Sequence, residues 1–491
     1  MTRSHGGDAA DEVLDTAPTG VLIGGEWREA SDGGRIEVLD PASEEVLAEV
    51  ASGTVEDARA AVDAAAGALP RFGAMAPRER GELLRRAFEA MTARREEIAR
   101  LIVLENGKAL TDARGEAAYA AEFFRWYGEE AVRGAGEVTT APSGANRILV
   151  LRQPIGVAAL VTPWNFPAAM LTRKIGPALA AGCTVVCKPA SETPLTALLI
   201  ARILEEAGAP PGTVNVLTAR RSSEVVATWL ADGRVRKLSF TGSTEVGQVL
   251  LRAAADNVVS TSMELGGNAP FLVFDDADLD AALAGAMVAK MRNGGEACTA
   301  ANRFYVHEAV AEEFGRRFAG AMAGLQVGRG LDEGTEVGPL VNAASRDKVA
   351  ELVEGALDQG AEALTGATTP KGTGFFYPPT VVTNVEPGSA ILRHEIFGPV
   401  APIVTFASEE EAVALANDTE LGLVSYLYTA DLARGLRVSE ALESGMVGLN
   451  RGLVSDPAAP FGGVKQSGIG REGGHEGMLE YLESKYVAVS W

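Results

Sequence analysis

The chain has 491 residues, a formal net charge of -22, 47% hydrophobic residues and 22% charged ones. Such a length calls for two or three domains, and the composition is that of a soluble globular protein. The acidity excludes a basic surface of the kind that nucleic acid or an anionic membrane needs, so neither is an expected partner.

Only three cysteines occur, Cys183, Cys187 and Cys298. They are too few for a disulfide framework and predict a reducing, cytoplasmic setting. The start, Met1 to Glu12, lacks the apolar stretch of a signal peptide, and no apolar run is long enough to span a membrane. The four histidines are scattered without zinc-ligand spacing, so no metal is expected.

Residues 1–19 read as a flexible polar tail. Short strand-like runs follow, punctuated by Gly24-Gly25, Asp32-Gly33-Gly34 and Asp40-Pro41. Helical patterns run over 54–69, 77–94, 96–105 and 111–132, the first opened by a capping box of Thr54 with Asp57. Residues 134–145 read as a loop or arm. From Arg147 short apolar runs alternate with helical ones, which predicts βαβ units on a parallel sheet. A second such alternation runs from about Met263 to Asn450, and 485–491 reads as a last strand.

Several stretches carry chemistry. In Met291 to Arg303 a single cysteine, Cys298, follows a glycine pair, and its neighbour Arg292 would lower its pKa toward the thiolate. From this stretch alone the bland reading is a buried structural cysteine, which is what most lone cysteines are. Leu238 to Gly247 is a strand, a tight glycine turn and a helix start, where Gly242 and Ser243 suit either a phosphate or a plain helix cap. Lys188 closes an apolar strand at the end where ligands bind in parallel sheets. Asn165, between Pro163 and Pro167, offers an oxyanion donor or a turn former. Glu264 stands in an apolar strand before a Gly-Gly kink, as a general base or an exposed edge residue. Cys183 and Cys187 lie on one face of a strand and read as core.

Together, Pro163 to Pro167, Gly242 to Gly247, Glu264 to Gly267, the Cys298 stretch and Glu395-Ile-Phe397-Gly-Pro399 resemble the aldehyde dehydrogenase superfamily over about residues 20–491. The resemblance implies an α/β fold: a Rossmann-type cofactor domain (20–133 and 150–260), an α/β catalytic domain (261–450) and a small β oligomerisation arm (134–149 and 475–491). It implies that Cys298 is the nucleophile, Glu264 the general base and Asn165 an oxyanion donor with the Cys298 backbone N–H. It also implies that Trp164, Lys188, Ser191, Gly242, Ser243, Glu395 and Phe397 hold the dinucleotide, in a homodimer or homotetramer.

Phe166 to Lys174, Arg292 and Ser455 are closer to the succinate-semialdehyde branch. That likeness implies that Arg173, Arg292 and Ser455 hold the far carboxylate of a small semialdehyde, for which a guanidinium fork is suited. Glutarate semialdehyde is the alternative substrate. The branch's NAD-specific members tend to have glutamate where this chain has Ser191, so NADP is favoured over NAD. Ala300 stands where some relatives keep a second, redox-active cysteine. Arg451 is a further basic residue near Ser455.

Overall fold

A computed structural model describes residues 13–490 of the chain. The expected tail over 1–19 lies outside the described residues as far as 12. From 13 onward the chain is packed, not loose: Val13 and Ala17 are buried, and the Thr16 carbonyl accepts a hydrogen bond from Arg202 at 3.1 Å. These two apolar side chains join the first domain's core and fix the segment.

The first sheet has eight strands in the order Glu26–Arg28, Val21–Ile23, Val214–Val216, Thr184–Lys188, Val157–Val161, Val235–Thr241, Ser260–Glu264 and Gly468–Ile469. Its five central strands are parallel. They are near-continuous apolar runs because helices cover both faces. Among those helices is Val55–Gly73, where Thr54 Oγ accepts from the Asp57 N–H and Asp57 accepts from the Thr54 N–H, the reciprocal cap read from the sequence. The helix Ala169–Ala181 is buried along its whole length.

The second sheet has seven strands: Glu362–Thr365, Thr380–Thr383, Val400–Phe406, Ala301–His307, Ala269–Val273, Val424–Tyr428 and Met446–Leu449. Every pair in it is parallel except the first. The fold is thus α/β, as the alternation of runs predicts.

A third, three-stranded sheet joins Leu482–Val489, Arg147–Pro154 and Glu137–Thr140, all antiparallel. The boundary expected at 149/150 falls inside Arg147–Pro154. That whole strand belongs to the arm, because its register with the late strand runs unbroken from Leu482↔Pro154 to Val489↔Arg147. The late strand begins three residues earlier than the sequence predicts, at Leu482, and pairs within its own chain. Trp491 lies outside the described residues. No helix among the described residues is long and apolar enough to cross a membrane.

Two features position the site. Lys188 and Glu264 end parallel strands of one sheet at the same edge, where the helix dipoles and loop backbones converge. The second is a late segment, Gly468–Ile469, which pairs antiparallel with the edge strand and sets Gly468 opposite Glu264.

Candidate active site

Cys298 is delivered by a chain reversal. The helix Leu279–Met291 gives way to Asn293 (φ 57°), Gly294 (φ 59°) and Gly295 (φ 81°), three successive left-handed residues. Gly295 is needed there twice over: its φ is unfavourable for other residues, and a Cβ would stand 2.2 Å from the Gly398 carbonyl oxygen. On the other side Gly267 lets the Cys298 carbonyl approach, since a Cβ at 267 would lie 2.5 Å from it. The thiol is half-buried. Burial pushes it up to about 12, with Glu395 and Glu264 acting in the same direction and Arg173 and Arg292 against it. The sequence argument expects Arg292 to favour the thiolate. The arginine does act in that sense, but desolvation outweighs it.

Asn165 lies 3% exposed beside this loop and lines the same cavity as Cys298. One N–H of its side-chain amide donates to the Glu296 carbonyl at 3.1 Å, which leaves the second for a ligand. The backbone carbonyl of Asn165 accepts from Lys108 Nζ at 2.7 Å and from Asn293 Nδ2 at 3.0 Å. Lys108 also donates to Glu116 at 2.6 Å, in a pair almost fully removed from solvent. The other oxygen of Glu116 accepts from the N–H groups of Ala168 and Ala169, at the start of the helix that carries Arg173. Asn106 Nδ2 donates to the Trp164 carbonyl at 3.2 Å. Asn106, Lys108 and Glu116, none of which the sequence singles out, clamp the loop from Pro163 to Pro167.

Glu264 is 2% exposed, and neither of its carboxylate oxygens has a hydrogen-bond partner. It is therefore not an exposed edge residue. Burial holds its pKa well above the usual carboxylate range, aided by the negative charge of Glu472 and opposed by Arg173 and Lys174. Glu472, also missed in the sequence, ion-pairs with Lys174 and lies 2.5 Å from Arg173 Nε. Those pairs hold its own carboxyl below the usual range despite burial.

The predicted substrate residues fall into two groups. Arg292 donates to Ser455 Oγ at 3.3 Å and lies 4.9 Å from the centre of the Phe166 ring. Arg173 is 1% exposed, stacks 4.3 Å over Phe461 and is ion-paired to Glu472 through Nε. Arg173 also reaches Met170 Sδ at 3.2 Å, and Met170 lines the same cavity as Cys298. Arg451 is exposed and donates to the Leu453 carbonyl at 2.7 Å.

The cavity that Cys298 lines, of about 240 Å³, is lined also by Trp164, Gly242, Ser243, Glu395 and Phe397. Ser243 caps the helix Thr244–Ala255 by accepting from the Val246 N–H at 3.3 Å. Glu395 accepts from the Gly267 N–H, and burial pushes its carboxyl up to about 7. Phe397 holds a left-handed φ of 58° and meets Trp164 edge-on at 5.3 Å. A non-glycine residue so held marks a functional constraint. Lys188 and Ser191 stand outside this cavity, farther along the sheet edge. Lys188 is 7% exposed, and among the described residues its ammonium has no hydrogen bond or ion pair. A buried cation of that kind suits the hydroxyl or phosphate groups of a dinucleotide. Cys183 and Cys187 are both fully buried in the core.

Residues 27–487 match the aldehyde dehydrogenase family. The chain belongs to the aldehyde dehydrogenase family. It is 56% identical over 445 residues to a succinate-semialdehyde dehydrogenase of Paenarthrobacter nicotinovorans, covering 91% of this chain and 99% of that one. It is 48% identical over 468 residues to a glutarate-semialdehyde dehydrogenase of Pseudomonas putida, covering 95% and 97%. The crystal structure of an Escherichia coli NADP-dependent enzyme superposes with a TM-score of 0.96 at 45% identity, covering 97% of this chain and 99% of that one. Family membership makes the chain an NAD(P)-dependent oxidoreductase.

Proposed function

We propose that the protein oxidises succinate semialdehyde to succinate, with Cys298 as nucleophile. The observation that carries this reading is a pair of guanidinium groups close to the Cys298 cavity: Arg173 reaches Met170 Sδ, which lines that cavity, and Arg292 stacks on Phe166 and donates to Ser455 Oγ. In a chain of net charge -22, an anionic substrate needs local guanidinium groups to enter at all. The name of the Paenarthrobacter relative supports the same substrate. The Pseudomonas relative favours glutarate semialdehyde as a second substrate, since one methylene changes binding by only about 1–3 kcal/mol.

The chemistry follows from the residues. The Cys298 thiolate adds to the aldehyde carbon, and the free N–H of the Asn165 amide holds the resulting oxyanion with the Cys298 backbone N–H. The dinucleotide, when bound, supplies the hydride acceptor that the side chains lack. Loss of hydride leaves a thioester on Cys298. Glu264 takes a proton from the water that cleaves it, a role suited to a buried, unpaired carboxylate of raised pKa. Trp164, Gly242, Ser243, Glu395 and Phe397 would hold the nicotinamide end, and Lys188 and Ser191 the adenosine end. Ser191 brings no charge to repel a 2′-phosphate, so NADP is the preferred cofactor. Copies associate as a homodimer or homotetramer through the open edge of Leu482–Val489 in the arm. Three free cysteines fit a cytoplasmic enzyme.

Steady-state kinetics on succinate semialdehyde, glutarate semialdehyde and propanal, each with NADP and NAD, test the reading. Arg292→Met is expected to lower kcat/KM for the semialdehydes about 10–100-fold, the worth of a charge-assisted hydrogen bond, and to spare propanal. Equal losses on propanal would remove the carboxylate role.

A further inference from the structure

Lys290 lies in the last turn of the helix Leu279–Met291, fully buried, and the chemistry above makes no use of it. Among the described residues its ammonium has no ion pair and makes one long hydrogen bond, to Asn302 Oδ1 at 3.4 Å. Burial pushes the ammonium down to about 7, against the pull of Glu395. A buried cation with so few partners costs stability, and conflicts of this kind collect where function requires them.

From Asn302 a line of buried amides continues. Asn302 Nδ2 donates to Asn268 Oδ1 at 3.3 Å, and Asn268 Nδ2 donates to the Leu392 carbonyl at 2.9 Å. The two ends set the polarity of this line. An ammonium only donates and a carbonyl only accepts, so the two amides between them are satisfied in one orientation alone. The backbone of Asn268 is fixed separately, since its carbonyl accepts from Arg303 Nε at 2.9 Å.

The line joins the separate parts of the site. Lys290 precedes the reversal that delivers Cys298, and Asn302 stands in the strand that leaves it. Asn268 follows the Gly-Gly kink after Glu264. Leu392 opens the segment that carries Glu395 and Phe397. That segment needs holding: Glu395 accepts from the Gly267 N–H at 3.3 Å, and Phe397 keeps a left-handed φ of 58°. A non-glycine residue stays in that region only where its surroundings impose it.

We infer that Lys290 is a positioning residue for the cofactor: through Asn302 and Asn268 it holds the segment from Leu392 to Phe397 against the loops of Cys298 and Glu264. The inference rests on the reading above that Glu395 and Phe397 hold the nicotinamide end of the dinucleotide. Without the ammonium, Asn302 Oδ1 loses its donor, the two amides lose their fixed polarity, and the Leu392 carbonyl is released.

The test sets affinity against stability. Dissociation constants of the full-length protein are measured by fluorescence for NADPH and by calorimetry for 2′,5′-ADP, which lacks the nicotinamide half, and melting temperatures are taken alongside. Wild type is compared with Lys290→Met, Asn302→Ala, the double variant and Glu395→Gln. Lys290→Met is expected to weaken NADPH about 3–10-fold, the net worth of one hydrogen bond, and to leave 2′,5′-ADP within about twofold. Its melting temperature should be unchanged or higher, because methionine fills the space with no charge to bury. Asn302→Ala should weaken NADPH to a similar extent, and the double variant should add less than about twofold to either loss. If Lys290→Met leaves NADPH binding unchanged, or weakens 2′,5′-ADP equally, while Glu395→Gln weakens NADPH alone, the role of Lys290 is overturned and the nicotinamide site stands. Losses that multiply in the double variant overturn the link through Asn302. If Glu395→Gln leaves NADPH binding unchanged, the placement of the nicotinamide end falls, and the inference with it.

Discussion

Lys108→Met separates orientation from chemistry at the oxyanion site. Methionine keeps the length of the stem and removes the ammonium, which is bonded to Glu116 at 2.6 Å and to the Asn165 carbonyl at 2.7 Å. Losing one partner of a buried ion pair typically costs about 3–5 kcal/mol, because the other charge stays buried. Glu116 keeps two backbone donors at Ala168 and Ala169, which argues for the low end. At about 1–2 °C per kcal/mol for a chain of this length, the melting temperature should fall by roughly 3–6 °C. The catalytic effect is separable from this. An oxyanion donor is worth about 10²–10³ in rate, and Lys108 is one of two groups fixing the carbonyl of the residue that supplies it. A drop in kcat of about 10-fold is therefore expected, with a smaller change in KM. The assay is a double-mutant cycle with Asn165→Ala, read as kcat at a temperature where all four proteins are folded. In the Asn165→Ala background, Lys108→Met should cost less than about twofold, since nothing is left to orient. If the two losses multiply, or if Lys108→Met melts early yet turns over normally, the lysine does not work through Asn165.

Three further outcomes follow from the site. Glu264→Gln should give one equivalent of reduced cofactor per site in a rapid burst and then stall, with steady-state turnover down about 10²–10⁴-fold; normal steady-state turnover would take Glu264 out of thioester hydrolysis. Alkylation of Cys298 by iodoacetamide should accelerate from pH 7 to pH 10 without levelling, because burial sets the thiol at about 12. A plateau below pH 9 would contradict the dominance of desolvation. Glu296 is buried with its carboxyl pushed up to about 8, above the unfolded value. Its favourable contribution is therefore fully present below about pH 4.5 and lost as pH rises through 8. Glu296→Gln cannot ionise, so melting curves should show the variant gaining on the wild type from pH 5 to pH 9; parallel curves would refute the shift.

Local patterns in the sequence carry the strands and most helices, because each of these is written in neighbouring residues; the candidate roles of Cys298, Glu264 and Asn165 come from the family resemblance. The apolar run before Lys188, the capping box at Thr54 and the glycines around Cys298 act within a few positions of themselves. Other features depend on contacts between distant positions, and periodicity does not encode those. Glu472 sits in a glycine-rich turn that looks solvent-facing, and only the fold brings it onto Arg173 and Lys174. Lys108 follows a helix stop and reads as a surface turn residue until Glu116 and Asn165 close over it. The same holds for the Cys298 thiol: the arginine that lowers its pKa is visible in sequence, whereas the desolvation that outweighs it is a property of packing.

The pairing of Gly468 with Glu264 has a consequence for biosynthesis. The edge strand Ser260–Glu264 is translated long before the segment that covers it, as are Arg173 and Lys174 before Glu472. Until residues 464–482 emerge from the ribosome, the first sheet keeps an open edge and two cations await their carboxylate. The thiol, the amide and the base can all be present in a nascent chain that still lacks the frame to align them. Growing chains hold a waiting template for foreign strands at the place where catalysis will occur.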